Sequence, residues 1–200
     1  RDIEVVRAIR AHVGPDVKLM VDSNNGYDLA TTKRFLEEAD IEFFFVEEMF
    51  PESVEEDLEL KQWIRSRGWN TLVADGESAR DPEHFTPYIE RAAFDVLQGD
   101  MRRFGFTELR DLARTAAPAG VGLAPHNWGS YLGLYMQLIL GRGIPNFVMA
   151  EQDPAHTELF DASDFELREG RMRVPDTPGC GLALRTERLA DETLDWELHV

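Results

Sequence analysis

Cysteine is nearly missing from this chain. Cys180 is the only one in 200 residues. No internal disulfide can form, and a reducing, cytoplasmic setting is expected. Long apolar runs are missing too. None approaches the roughly 20 residues of a membrane span, so no membrane partner is expected. Positive charge is scarce: 21 Lys and Arg stand against 38 Asp and Glu, a net charge of −17. Such a chain repels a phosphate backbone, so nucleic acid is not an expected partner. There is no low-complexity segment. The 43% apolar and 10% aromatic content is that of a globular protein. No signal peptide opens the chain, which begins at Arg1 inside a helical pattern. An upstream portion is therefore expected.

What is present is an alternation. Ile3, Val6, Ile9 and Val13 recur at helical spacing behind Asp2. Strands are then expected at 17–22, 41–48, 71–77, 94–100, 121–126 and 147–151. Helices are expected between them at 28–39, 53–67, 81–92, 106–117 and 129–140. Alternating strands and helices imply parallel strands in an α/β sheet or barrel. After Asp153 the pattern breaks. Residues 165–175 look like a hairpin with Glu169-Gly170 at its turn, and a Pro- and Gly-rich stretch follows. Residues 1–155 are expected to form the repeating unit, and 156–200 a tail packed on it or returning to another domain.

The stretch "LMVDSNNGYD" at 19–28 tests for a calcium loop. Counted from Asp22, an EF-hand would need a ligand at Gly26, glycine at Tyr27 and glutamate at Lys33. Those positions fail. A turn at the mouth of a site remains, because Asn-Gly is a strong turn signal.

Each expected strand ends in a residue capable of chemistry: Asp22, Glu47, Glu77, Asp100, His126 and Glu151, spaced 23 to 30 residues apart. Taken singly, each has a plain reading as a helix cap, a solvated acid or a structural histidine. In a barrel of parallel strands, however, the C-terminal strand ends ring one mouth, where active sites sit. Carboxylates from adjacent strands suit a hard divalent cation such as Mg2+. Asp100 followed one unit later by His126 suggests a second device. A carboxylate on one imidazole nitrogen orients the ring and frees the other nitrogen for proton transfer.

With these residues in place, the chain resembles the barrel domain of the enolase superfamily, in particular its mandelate racemase/muconate lactonizing enzyme-like branch. The resemblance rests on "MVDSNNGY", "FFVEEMFPE", "ADGES", "LQGDMRRFGFTE", "LAPHNWGS", "MAEQDP" and the tail "PGCGL". It implies a TIM-type (β/α)7β barrel, incomplete here, beside an α+β capping domain that this chain does not contain. It also implies residue roles. Asp22, Glu47 and Glu77 correspond to magnesium ligands and should converge on one point. His126 and Asp100 correspond to a general-base dyad, and Glu151 to the acid that hydrogen-bonds the substrate carboxylate. Asn24, Arg80, Asn127 and Trp128 are candidate substrate-binding residues.

Two features depart from the family pattern. The strand bearing the family's catalytic lysine has no counterpart here, and Lys18 lies about 13 Å too far toward the barrel floor. Met49-Phe50 before Pro51, and Gly99 before Asp100, also differ from the usual residues. The chain is therefore expected to be a segment of a longer enzyme. The implied reaction is Mg-dependent removal of the proton α to a carboxylate, through an enediolate. The favoured outcome is dehydration of an acid sugar, an aldonate or aldarate, to a 2-keto-3-deoxy acid. A racemase, epimerase or cycloisomerase on the same scaffold is the alternative. A non-catalytic metal-binding barrel is the alternative of another class. The expected partner is a small carboxylate substrate, and the expected assembly is a homo-oligomer.

Overall fold

The computed structural model describes residues 1–189. Helix α1 (Asp2–Val13) leads into strand β1 (Val21–Asp22), and strands and helices then alternate: α2 (Leu29–Ala39), β2 (Phe45–Glu47), α3 (Val54–Ser66), β3 (Leu72–Asp75), α4 (Thr86–Glu90), β4 (Val96–Leu97), α5 (Met101–Ala116), β5 (Gly122–Leu123) and α6 (Tyr131–Gly143). The five strands form one parallel sheet in chain order. A parallel bridge from Leu123 to Phe147 adds the start of a sixth. The alternation implied parallel strands in a sheet or barrel, and an incomplete (β/α) barrel is what the resemblance implied and what the chain forms.

Local chemistry sets the helices. Asp28 and Ser53 cap α2 and α3 by accepting from the N–H groups of Thr31 and Glu56. Thr32, Phe35, Leu36 and Ala39 form the buried stripe of α2, at helical spacing. The expected helix at 81–92 comes out shorter. A 3-10 turn at Pro82–Phe85 precedes α4, because Pro87, inside the expected helix, has no backbone N–H to continue it. Helix α5 starts five residues earlier than expected, at Met101, and is kinked at Gly105 (φ 66°, ψ −172°). The expected strand 147–151 pairs only at its start.

The pleat divides the sheet into two faces. Val46, Val73, Leu97 and Leu123 point outward into the main core, with Phe43, Leu60, Phe94 and Leu109. Phe45, Ala74, Val96 and Ala124 face inward and form a smaller cluster. On the β1 side the sheet edge is open: Val17 and Met20 are exposed there, as are Val5 and Ile9 of α1. Beyond residue 155, β7 (Glu166–Arg168) and β8 (Arg171–Arg173) make the expected hairpin. Glu169 and Gly170 both have positive φ, as a type I′ turn requires. A pairing of β6 (Phe160–Asp161) with β9 (Ala183–Leu184) was not expected, and α7 (Thr186–Leu189) follows. The end of the expected tail, 190–200, lies outside the described residues. Among the described residues, no helix is long and apolar enough to cross a membrane.

Candidate active site

The strand ends deliver their polar residues to one rim of the sheet. Asp22 is in register with Glu47 across β1 and β2, and Glu47 with Ala74 of β3. After β1 the chain turns through Asn24 and Asn25, both at positive φ. The Asn24 N–H donates to Asp22 Oδ1 at 2.7 Å, which holds that carboxylate at the strand end. Burial pushes the Glu47 carboxyl up to about 8; the Gln98 amide opposes this, and the charges of Asp22, Glu151 and Glu77 add to it. Glu77 is raised too, by burial and by Glu48, Asp22 and Glu151, against the pull of His126. Four carboxylates from separate strand ends therefore share one field.

Asp100 is the hub of the next pair. Its Oδ1 caps α5, accepting from the N–H groups of Arg102 (2.6 Å) and Arg103 (3.1 Å). Its Oδ2 lies 3.0 Å from His126 Nδ1 and 3.1 Å from Arg102 Nη2. Burial raises the Asp100 carboxyl, but hydrogen bonds from Arg102 and His126 outweigh it and hold the group below the usual range. An anionic Asp100 wants a proton on Nδ1, which leaves the lone pair of His126 on Nε2. That nitrogen points back into the ring, 3.4 Å from Glu77 Oε2.

Glu151 closes the arc. Its Oε2 accepts from the Asn127 N–H at 2.5 Å. Two residues on, Asp153 Oδ2 accepts from the Gly129 N–H at 2.8 Å, stitching the loop after β5 to the chain after Glu151.

The four candidate substrate residues fare differently. Asn24, Arg80 and Trp128 are exposed on the rim, Trp128 to 62%. The Asn127 side chain is fully buried. It donates to Ser130 O and packs so tightly on α6 that a Cβ at Gly133 would fall 1.9 Å from its Oδ1. In this arrangement only its backbone N–H reaches the ring.

Several supporting residues went unnoticed in the sequence. Gln98 is buried beside Glu47, with its Oε1 unpartnered. Its position two residues before Asp100 on the same strand was an available signal. Arg103 donates Nη1 to the carbonyls of Glu77 (3.4 Å), Ser78 (3.2 Å) and Ala79, and so clasps the loop that carries Glu77. Gln137, an amide inside the apolar run "YLGLYMQLIL", was another signal.

A second group of acids lies behind the ring on the helix side. Asp57 and Asp75 are each 2% exposed. Burial raises Asp57 to about 7, with Glu52 and Glu56 adding to the effect. Burial raises Asp75 to about 10, with Glu52, Asp57 and Glu48 contributing. Glu52 pairs with His84, and Glu48 accepts from Ser78 Oγ.

The donor set of Asp22, Glu47 and Glu77 is all oxygen and suits a hard divalent cation. None of the three meets a Lys or Arg among the described residues. Their chemistry fits magnesium, but the convergence expected of them is partial. Among the described residues, no three His, Cys, Asp or Glu side chains are drawn together closely enough to hold an ion.

A family model described as enolase C-terminal domain-like matches residues 1–188. A galacturonate dehydratase from Geobacillus sp., solved with D-galacturonate and 5-keto-4-deoxy-D-galacturonate, is 35% identical with a TM-score of 0.87, over 95% of this chain and 51% of that one. An L-talarate dehydratase from Polaromonas sp. JS666, solved with Mg and L-glucarate, is 30% identical with a TM-score of 0.77, over 94% and 51%. A D-galactarolactone cycloisomerase from Agrobacterium fabrum is 28% identical over 95% of this chain and 53% of its own length. The chain thus spans about half the length of these relatives.

Proposed function

The chain belongs to the enolase C-terminal domain-like family, and on that premise we propose that the protein containing it removes the proton α to the carboxylate of an acid sugar and expels the β-hydroxyl. The observation that carries this reading is the Asp100–His126 pair, with Nδ1 held at 3.0 Å and Nε2 turned into a ring of carboxylates. His126 Nε2 takes the α-proton, and the C–H electron pair moves toward the substrate carboxylate. Glu151, steadied by the Asn127 N–H, faces that carboxylate. Asp22, Glu47 and Glu77 would hold magnesium, whose charge would stabilise the carboxylate as it gains electron density. The imidazolium then returns its proton to the departing β-hydroxyl. The C–O bond breaks, water leaves, and the resulting enol tautomerises to a 2-keto-3-deoxy acid.

Dehydration is favoured by relatives that are dehydratases of galacturonate and talarate. The exposed polar rim of Asn24, Arg80 and Trp128 suits a polyhydroxylated substrate. A second reading, cycloisomerisation, is favoured by the resemblance to the galactarolactone cycloisomerase. One experiment separates them. The full-length protein is assayed with Mg2+ against aldonic, aldaric and uronic acids, with keto-acid release and solvent deuterium at the α-carbon as readouts. Dehydration releases a keto acid, and His126→Asn abolishes that release. Deuterium uptake without keto acid supports the isomerase reading. A fully active His126→Asn would remove the dyad from the chemistry.

A further inference from the structure

Gln137 sits in the middle of α6 with no exposed surface. A buried amide is costly unless both of its ends are bonded. Both ends of this one go to a single residue. Oε1 accepts from the Glu151 N–H at 2.9 Å, and Nε2 donates to the Glu151 carbonyl at 3.3 Å. A neighbouring strand would make the same pair of bonds.

The location gives the pattern its meaning. The sixth strand pairs with β5 only at its start, through the Leu123–Phe147 bridge and the Val148 N–H on Leu123 O at 2.8 Å. Past Val148, no backbone bond to β5 is made among the described residues. The ladder has therefore run out three residues before the one whose carboxyl faces the ring.

We propose that Gln137 is a positioning residue for Glu151: its amide replaces the missing strand partner and fixes the backbone from which the Glu151 carboxyl reaches the Asn127 N–H and the ring. This rests on the role given to Glu151 in the proposed reaction. Gln137 itself lies behind the strand and touches no reacting atom. It acts by restricting where residue 151 can sit, and a displacement of about 1 Å at a reacting group can cost a hundredfold in rate.

The test uses the full-length protein with Mg2+ and D-galacturonate, L-glucarate and arabinonate as probes. Gln137→Met keeps the side-chain length and its apolar packing but removes both bonds. Gln137→Asn keeps an amide but withdraws it by one methylene. Both variants should lower kcat roughly 10- to 100-fold with little change in KM, and the Glu151 amide hydrogen should exchange faster with solvent. In a Glu151→Gln background, Gln137→Met should add no further loss, because its effect passes only through that carboxyl. Parental kcat in both Gln137 variants, beside an impaired Glu151→Gln, would overturn the clamp alone. An equal loss from Gln137→Met in both backgrounds would also overturn it, by assigning Gln137 to general packing. A Glu151→Gln protein with the parental rate would instead overturn the role of Glu151, and the clamp with it.

Discussion

Replacing Asp100 by asparagine should separate the two tasks of that side chain. Oδ1 serves structure, taking the Arg102 and Arg103 N–H groups at 2.6 and 3.1 Å. Oδ2 serves the site, meeting His126 Nδ1 at 3.0 Å and Arg102 Nη2 at 3.1 Å. Asparagine caps helices about as well as aspartate, so its oxygen takes over the first task. Its NH2 then occupies the place of Oδ2 and faces two donors. His126 must turn an Nδ1 lone pair toward it, which moves the ring proton to Nε2, where a base needs the lone pair. Loss of a general base costs about 10²- to 10⁴-fold in rate, equivalent to roughly 2.7–5.4 kcal/mol of barrier. The folded state loses much less, because the Arg102 partner is half exposed and such pairs contribute about 0–1 kcal/mol. Asp100→Ala should add the loss of the cap, about 0.5–2 kcal/mol of stability. The measurements are kcat and the denaturant midpoint of the full-length protein for both variants. An Asp100→Asn enzyme within tenfold of the parental rate would refute the argument. So would a rate loss matched by an equally large loss of stability.

Three other outcomes follow from the packing and the charges. Gly133→Ala would drive a methyl group into Asn127 Oδ1, 1.9 Å away, and should destabilise the protein by about 1–3 kcal/mol in thermal or denaturant unfolding. Asp57 is raised from 3.8 to about 7, so the native state holds its proton more tightly than the unfolded chain does. The associated stability is fully present below pH 3.8 and is lost as the pH rises through about 7, so Asp57→Asn should flatten the fall of the unfolding midpoint between pH 3.8 and about 7. Residues 1–200 expressed alone should aggregate or bind an apolar dye, because β1 leaves an open edge flanked by exposed Val5, Ile9, Val17 and Met20; a monomer that unfolds cooperatively would contradict this.

Much of this architecture was legible because it is periodic. Apolar runs of four to eight residues, punctuated by Asp, Glu or His, mark strands that end at one face, and the sheet follows chain order accordingly. What stayed hidden depended on contacts that are remote in sequence. The early start of α5 comes from Asp100 serving at once as cap and as partner of His126, a double use that spacing does not reveal. Where the pairing of the sixth strand stops, the backbone groups of Glu151 are met instead by a glutamine 14 residues upstream. Asn127 was a candidate substrate-binding residue as one of several polar groups near the strand ends; its burial against Gly133 is a fact of packing. The β6–β9 pairing joins two-residue segments too short to carry a period of their own.

The two-faced pleat has a consequence for folding fidelity. Glu47 faces the ring and Glu48 the helix layer, and Asp75 lies on the helix side two residues before Glu77. A slip of one residue along β2 would exchange Glu47 for Glu48 and turn Phe45 out of the inner cluster and Val46 out of the outer core. A carboxylate would then enter each layer without the partners it has now, Gln98 on one side and Ser78 on the other. A one-residue slip of β2 is therefore expected to cost electrostatic energy as well as packing, and the pairing that brings Asp22 beside Glu47 avoids both costs.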